Sequence, residues 1–128
     1  HTQEFLLAIP WTDELRDVPF IAGSHHEKLD GSGFPKGLKS AQILPQAQLV
    51  GAASRYNDMC NGAFNCQRNS PHQVVALLFK FADKLYAKQY IEQLVSLFGL
   101  YPAGTVLQYD DQQLSQVQIN IKGSTVIN

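Results

Sequence analysis

Cysteine and charge are both scarce in this chain. Two cysteines, Cys60 and Cys66, are present. That is too few for a disulfide framework or a zinc ribbon, and it fits a reducing compartment or buried thiols. Charged residues make up 16% of the 128, and the formal net charge is −1. No broad basic surface is therefore on offer to a nucleic acid, and an anionic ligand would need a local site. No apolar run of about 18 residues occurs, so no membrane-spanning helix is expected. No signal peptide is visible. These absences together point to a cytoplasmic protein with neither membrane nor nucleic acid as partner. Internal repeats and low-complexity segments are lacking too.

What is present is apolar material, 45% of the residues, enough for one core in one domain. The chain starts with His1 rather than methionine, which suggests a piece of a longer protein with a domain or missing half upstream.

Helical periodicity dominates the first 99 residues. Phe5, Leu6, Leu7 and Ile9 suggest a short helix ending before Pro10. Leu15, Val18, Ile21 and Ala22 share a face within a helix over 11–24, which Pro19 kinks or restarts. Pro45 to about Met59 reads as a helix apolar around much of its circumference, hence central. Ser70, Pro71 and Gln73 form a helix start with a capping box, followed by Val74, Leu77, Leu78 and Phe81 on one face. A last helix carries Tyr90, Ile91, Leu94, Val95 and Phe98 and closes at Gly99. The period then falls to two. Thr105 to Tyr109 and the alternating Val117, Ile119 and Ile121 predict a β-hairpin at 104–122, turning at Asp110-Asp111.

The chemistry concentrates in His25-His26-Glu27-Lys28-Leu29-Asp30-Gly31-Ser32-Gly33-Phe34-Pro35-Lys36-Gly37-Leu38. Imidazoles suit iron, zinc, manganese or nickel. Adjacent histidines on a helix diverge by about 100°, which would let them reach two metals, or one metal and one substrate oxygen. The plainer reading of such a pair is a surface cap at a helix end. A glycine-rich loop can offer backbone N–H groups to a phosphate, or be an ordinary turn.

This stretch resembles the signature of the HD-GYP family, a branch of the HD phosphohydrolases, whose Gly-Tyr-Pro here reads Gly33-Phe34-Pro35. Ile43-Leu44-Pro45 to Met59, Ser70-Pro71 and Leu100-Tyr101-Pro102 with Gly104-Thr105 continue the likeness over nearly the whole chain. The resemblance implies an HD-domain-type helical bundle, mainly α, with a small C-terminal β-hairpin. It implies two or three metals, iron or manganese, and hydrolysis of cyclic di-GMP in bacterial signalling. His25 and His26 match paired metal ligands, and His1 falls near an earlier ligand. Glu27, Asp30, Gly31, Gly33, Phe34, Pro35 and Lys36 make up the substrate or motif loop.

The chain also departs from that pattern. The His-Asp pair that names the superfamily, and the lysine after it, would belong upstream of His1. A Val-Ala-Asp-x-x-Asp pattern whose first aspartate ligates metal reads Ala52-Ala53-Ser54-Arg55-Tyr56-Asn57 here. Ser54 thus stands at a ligand position without the charge that hard cations prefer. Asp58, a residue past Asn57, is expected to be a poor replacement, and Arg55 to be solvated. An Asp-Arg-Pro-Tyr-Arg-like phosphate clamp reads Gly62-Ala63-Phe64-Asn65-Cys66, without its cations; Arg68 nearby is expected at the surface. No residue is assigned as catalytic with certainty. The expectation is a divergent cyclic di-GMP phosphodiesterase-like domain with an impaired metal site, acting in regulation or binding. Two alternatives stay open. One is an active metal-dependent phosphodiesterase completed by upstream residues. The other is an interaction module whose Phe34 loop contacts an upstream regulatory domain or one that makes cyclic di-GMP.

Overall fold

The computed structural model describes residues 2–63, 67–101 and 103, together with the backbone of three strands at 106–110, 113–120 and 123–127. His1, Phe64, Asn65, Cys66, Pro102, Gly104, Thr105, Asp111, Gln112, Ile121, Lys122 and Asn128 lie outside the described residues. The described fold is mainly helical. In chain order come α1 (Thr2–Leu7), α2 (Val18–Ser24), α3 (Pro45–Asn61), α4 (Pro71–Lys80) and α5 (Lys88–Phe98). Short 3-10 turns at Asp13–Leu15 and Ser40–Gln42 precede α2 and α3.

One expectation of local structure is corrected. The single helix expected over 11–24 is divided. Asp13–Leu15 forms one 3-10 turn, and α2 begins only at Val18, with Pro19 in its first turn. The proline lacks an N–H and suits a helix start, so it restarts the helix instead of bending it. Before α3, Ser40–Gln42 winds into a turn in which the Lys39 N–H donates to the Gln42 Oε1 and the Gln42 N–H donates to the Lys39 carbonyl. Past the helices, β1 (Val106–Asp110), β2 (Gln113–Asn120) and β3 (Gly123–Ile127) pair antiparallel in the order β1-β2-β3. A hairpin reading over 104–122 has no place for β3.

α3 is the organising element and packs against α2, α4 and α5. Its Ala47, Gly51 and Ala52 are buried. Small residues there let its neighbours approach the backbone. Gly62, at φ 72°, ends the helix in a left-handed cap, a geometry glycine adopts without a Cβ penalty. α4 starts as the sequence dictates: Ser70 accepts from the Gln73 N–H, and the Gln73 side chain returns to the Ser70 N–H.

The core forms where α4 and α5 meet α3. Val74, Leu78 and Ile91 are buried together, with Tyr56, Met59, Cys60, Ala82 and Tyr86 packed around them. Each such aliphatic side chain contributes about 1.5–3 kcal/mol by leaving water. The turn from α4 to α5 is tight. Asp83 takes a positive φ of 59°, and its carboxylate accepts from the Lys88 N–H at 2.9 Å at the start of α5. That turn also reaches back: the Leu29 N–H donates to the Leu85 carbonyl at 3.1 Å. The segment after the paired histidines is thereby anchored to the core. No helix among the described residues is long and apolar enough to cross a membrane.

Candidate functional site

His25 and His26 follow directly on the last residue of α2. His25 keeps helical backbone at the cap, φ −70° and ψ −11°, and the two rings nonetheless lie side by side. Their centroids lie 3.9 Å apart with the planes tilted by 41°. The Nδ1 of His25 lies 2.8 Å from the Ala22 carbonyl. A carbonyl can only accept, so Nδ1 carries the proton of the neutral ring and Nε2 holds the free lone pair. His26 stacks on Phe34 at 4.8 Å between centroids. Burial holds the His26 imidazole below its usual pKa, the neighbouring His25 lowers it further, and Asp58 opposes both.

Glu27 is buried at 5% exposure. Its carboxylate accepts from the Lys36 N–H at 2.7 Å and the Leu38 N–H at 2.9 Å. This acid sits inside the loop and ties its far limb to the histidine turn. Gly33 completes the closure, because a Cβ there would run into the Glu27 Cα, the His26 carbonyl and the Lys28 nitrogen. Asp30 accepts from the Ser32 N–H at 2.9 Å, and hydrogen bonding from the Ser32 hydroxyl, then from that N–H, holds its carboxyl below the usual range. The Gly31 N–H donates to Lys28 and the Phe34 N–H to His26. Five N–H groups of the loop, at Gly31, Ser32, Phe34, Lys36 and Leu38, are thus engaged within it. The loop is a self-bonded clasp, not a row of free donors for phosphate. Phe34 sits on its outside, 61% exposed.

Opposite the histidines lies one stripe of α3: Gly51, Ser54, Arg55 and Asp58. These four, with His25, His26, Glu27, Lys28, Phe34 and Tyr86, line a cleft of about 400 Å³. That volume is within the range of about 300–1,000 Å³ common for small-molecule sites. Gly51 is required by the close approach of the two walls, since a Cβ there would strike the His25 carbonyl.

The stripe corrects one expectation and the reason given for another. Arg55 is half-buried and lines the cleft, where solvation was expected. Asp58 lines it as well, yet it forms no three-ligand group with the histidines among the described residues. Judged from Asn57, Asp58 points away; judged from Ser54, it lies four residues on, nearly back on the same face. The i, i+3, i+4, i+7 spacing of Gly51, Ser54, Arg55 and Asp58 was the sequence signal that would have found both. Tyr86 had no such signal, because the α4–α5 turn brings it in.

The donor set can be tested against a metal. Two imidazoles stand side by side, one with a fixed tautomer and a free Nε2, which suits a cation. Yet among the described residues no group of three or more His, Cys, Asp or Glu side chains converges as a metal site would need. Ser54 offers a neutral hydroxyl, and Glu27 spends both oxygens on backbone N–H groups. The described residues therefore do not make up a metal centre by themselves. His1 lies outside them, as do Phe64 to Cys66 of the clamp segment.

A mainly helical domain with paired histidines at a helix end, over a clasped glycine loop, agrees with the resemblance to the HD phosphohydrolases, a metal-dependent class. A family model described as "HD domain" matches residues 1–89, and the chain belongs to that family, within the HD-GYP/HD superfamily. It is 30% identical over 103 residues to the cyclic di-GMP phosphodiesterase PdeB of Borreliella burgdorferi, covering 80% of this chain and 27% of that protein. It is 29% identical over 77 residues to a cyclic di-GMP phosphodiesterase of Thermotoga maritima, covering 60% of this chain and 21% of that protein. A third relative, the 3′3′-cGAMP-specific phosphodiesterase 1 of Vibrio cholerae, is 50% identical over 32 residues, 25% of this chain and 7% of that protein. The chain thus spans about a quarter of the length of the first two.

Proposed function

We propose that this domain is a divergent HD-GYP-type unit whose ligand is cyclic di-GMP and whose hydrolytic power is impaired, so that it serves bacterial second-messenger signalling by binding or regulation. The HD-type bundle with a small C-terminal β-element belongs to the same reading. The observation that carries it is the α3 wall of the cleft. Ser54 and Arg55 stand where a metal centre would need negative charge, and a third ligand for His25 and His26 does not converge among the described residues. The relatives' names supply the substrate class.

The chemistry left to these residues is recognition. The Nε2 of His25 can accept a hydrogen bond from a ligand hydroxyl, Lys28 and Arg55 can face phosphoryl oxygens, and Ser54 can donate to them. An attacking hydroxide has no described generator here. Iron or manganese would restore one if residues beyond those described, His1 among them, completed the ligand set. The test is turnover of cyclic di-GMP by the chain in its full-length context, loaded with iron or manganese and followed by separation of the linear dinucleotide and GMP. Binding without turnover is the expected result; clear metal-dependent hydrolysis overturns the impairment and restores the active phosphodiesterase.

The exposure of Phe34 favours a second role for the same loop, as a contact for a domain that makes cyclic di-GMP or for an upstream regulatory domain. Phe34→Ala should weaken that association; unaltered association would remove the role.

A further inference from the structure

The cleft does not end at its cationic wall. Lys28, Arg55 and Tyr86 also line a second cavity of about 200 Å³, whose remaining walls are Met59, Leu77, Leu78, Phe81 and Leu85. The two cavities share these three residues, with a polar side toward the histidines and an apolar side toward α4. We infer that the two cavities form one metal-independent site for a cyclic dinucleotide, with a phosphodiester on Lys28 and Arg55 and its attached planar base in the apolar cavity. This rests on the ligand class of the preceding reading and adds how the ligand is held.

The two changes on α3 act in the same direction. A carboxylate at position 54 is useful only when a metal lies between it and the phosphate; without the metal, it repels the ligand. A serine there removes the repulsion and leaves a hydroxyl donor. An arginine next to it supplies positive charge in a planar fork that matches phosphoryl oxygens. Of the carboxylates that line the first cleft, Glu27 is buried with both oxygens accepting backbone N–H groups, and Asp58 belongs to the histidine side and is not a wall of the second cavity. The apolar residues beyond the cations match the flat face of a base, and Tyr86 and Phe81 bring aromatic rings to that wall.

Calorimetric titration of the full chain with cyclic di-GMP in EDTA tests this, with parallel runs in manganese and with 3′3′-cGAMP. Binding should persist in EDTA at unchanged affinity and weaken as salt is raised. Arg55→Gln and Lys28→Gln should each weaken it by about tenfold or more, the worth of a charge-assisted hydrogen bond. Leu77→Phe, which fills the second cavity and keeps both cations, should also weaken it. Circular dichroism melts show which variants remain folded, and the salt dependence of the unaltered chain decides the matter for any that do not. Binding that requires manganese, or that is insensitive to salt, overturns the inference and leaves cyclic di-GMP as ligand. EDTA-resistant binding of 3′3′-cGAMP alone upholds the metal-free site and overturns cyclic di-GMP. Binding of neither dinucleotide overturns both.

Discussion

Glu27 should be the residue on which the site's geometry depends most. It is 5% exposed, and its two carboxylate oxygens take the Lys36 and Leu38 N–H groups at 2.7 and 2.9 Å. Glu27→Gln keeps the shape but leaves one acceptor oxygen and turns an amide NH2 toward the other backbone N–H. One hydrogen bond to a charged group is lost, about 1.5–3 kcal/mol. Glu27→Ala removes both acceptors, about twice that, and leaves a void as well. The larger figure approaches the whole stability of many domains, about 5–15 kcal/mol. Urea unfolding followed by circular dichroism measures the loss. With a slope of about 1–3 kcal/mol per molar urea, Glu27→Gln should lower the midpoint by about 1 M. Amide exchange at Lys36 and Leu38 should quicken more than exchange in α4 and α5, since the loop opens before the core does. An unchanged midpoint with unchanged exchange at those two amides would refute the clasp.

Gly51→Ala should destabilise by about 1–3 kcal/mol through overpacking against the His25 carbonyl, although alanine in an open helix interior would stabilise by about 1 kcal/mol; the sign of the change in a urea titration decides. Tyr56 has its hydroxyl pushed up to about 12 by burial, with smaller contributions from Cys60. Its folded pKa lies above the ordinary 10.0, so its stabilisation is full below pH 10 and is lost as pH rises toward 12; Tyr56→Phe should show less alkaline loss than the unaltered chain in pH-dependent melts. Burial also raises the Cys60 thiol, so iodoacetamide should label the peptide containing Cys60 more slowly at mildly alkaline pH than it labels an unfolded control. Ser70→Ala should cost about 1 kcal/mol through the lost cap of α4, read as a lower melting temperature.

Much of the helical frame was legible because it rests on local rules. Ser70-Pro71 with Gln73 sets the start of α4, Gly99 closes α5, and the apolar spacing of Val74, Leu78, Ile91 and Leu94 marks the buried faces. These are contests between a side chain and its own backbone, decided within a turn or two. The family signature was legible for the same reason, being one continuous stretch. Glu27, Arg55, Asp58 and Tyr86 were not, or only by a different count along the helix.

By itself, the sequence determined a helical domain of the HD kind, with its paired histidines and the loss of charge at Ser54. The tertiary structure decided what surrounds them. It set the two histidine rings side by side just past the end of α2. It turned Glu27 inward as the loop's clasp, and it put Arg55 and Asp58 on the wall facing the histidines. A residue's type and spacing fix what it can donate or accept. Which partner it meets depends on where the chain returns from far along the sequence, and only packing around the core sets that.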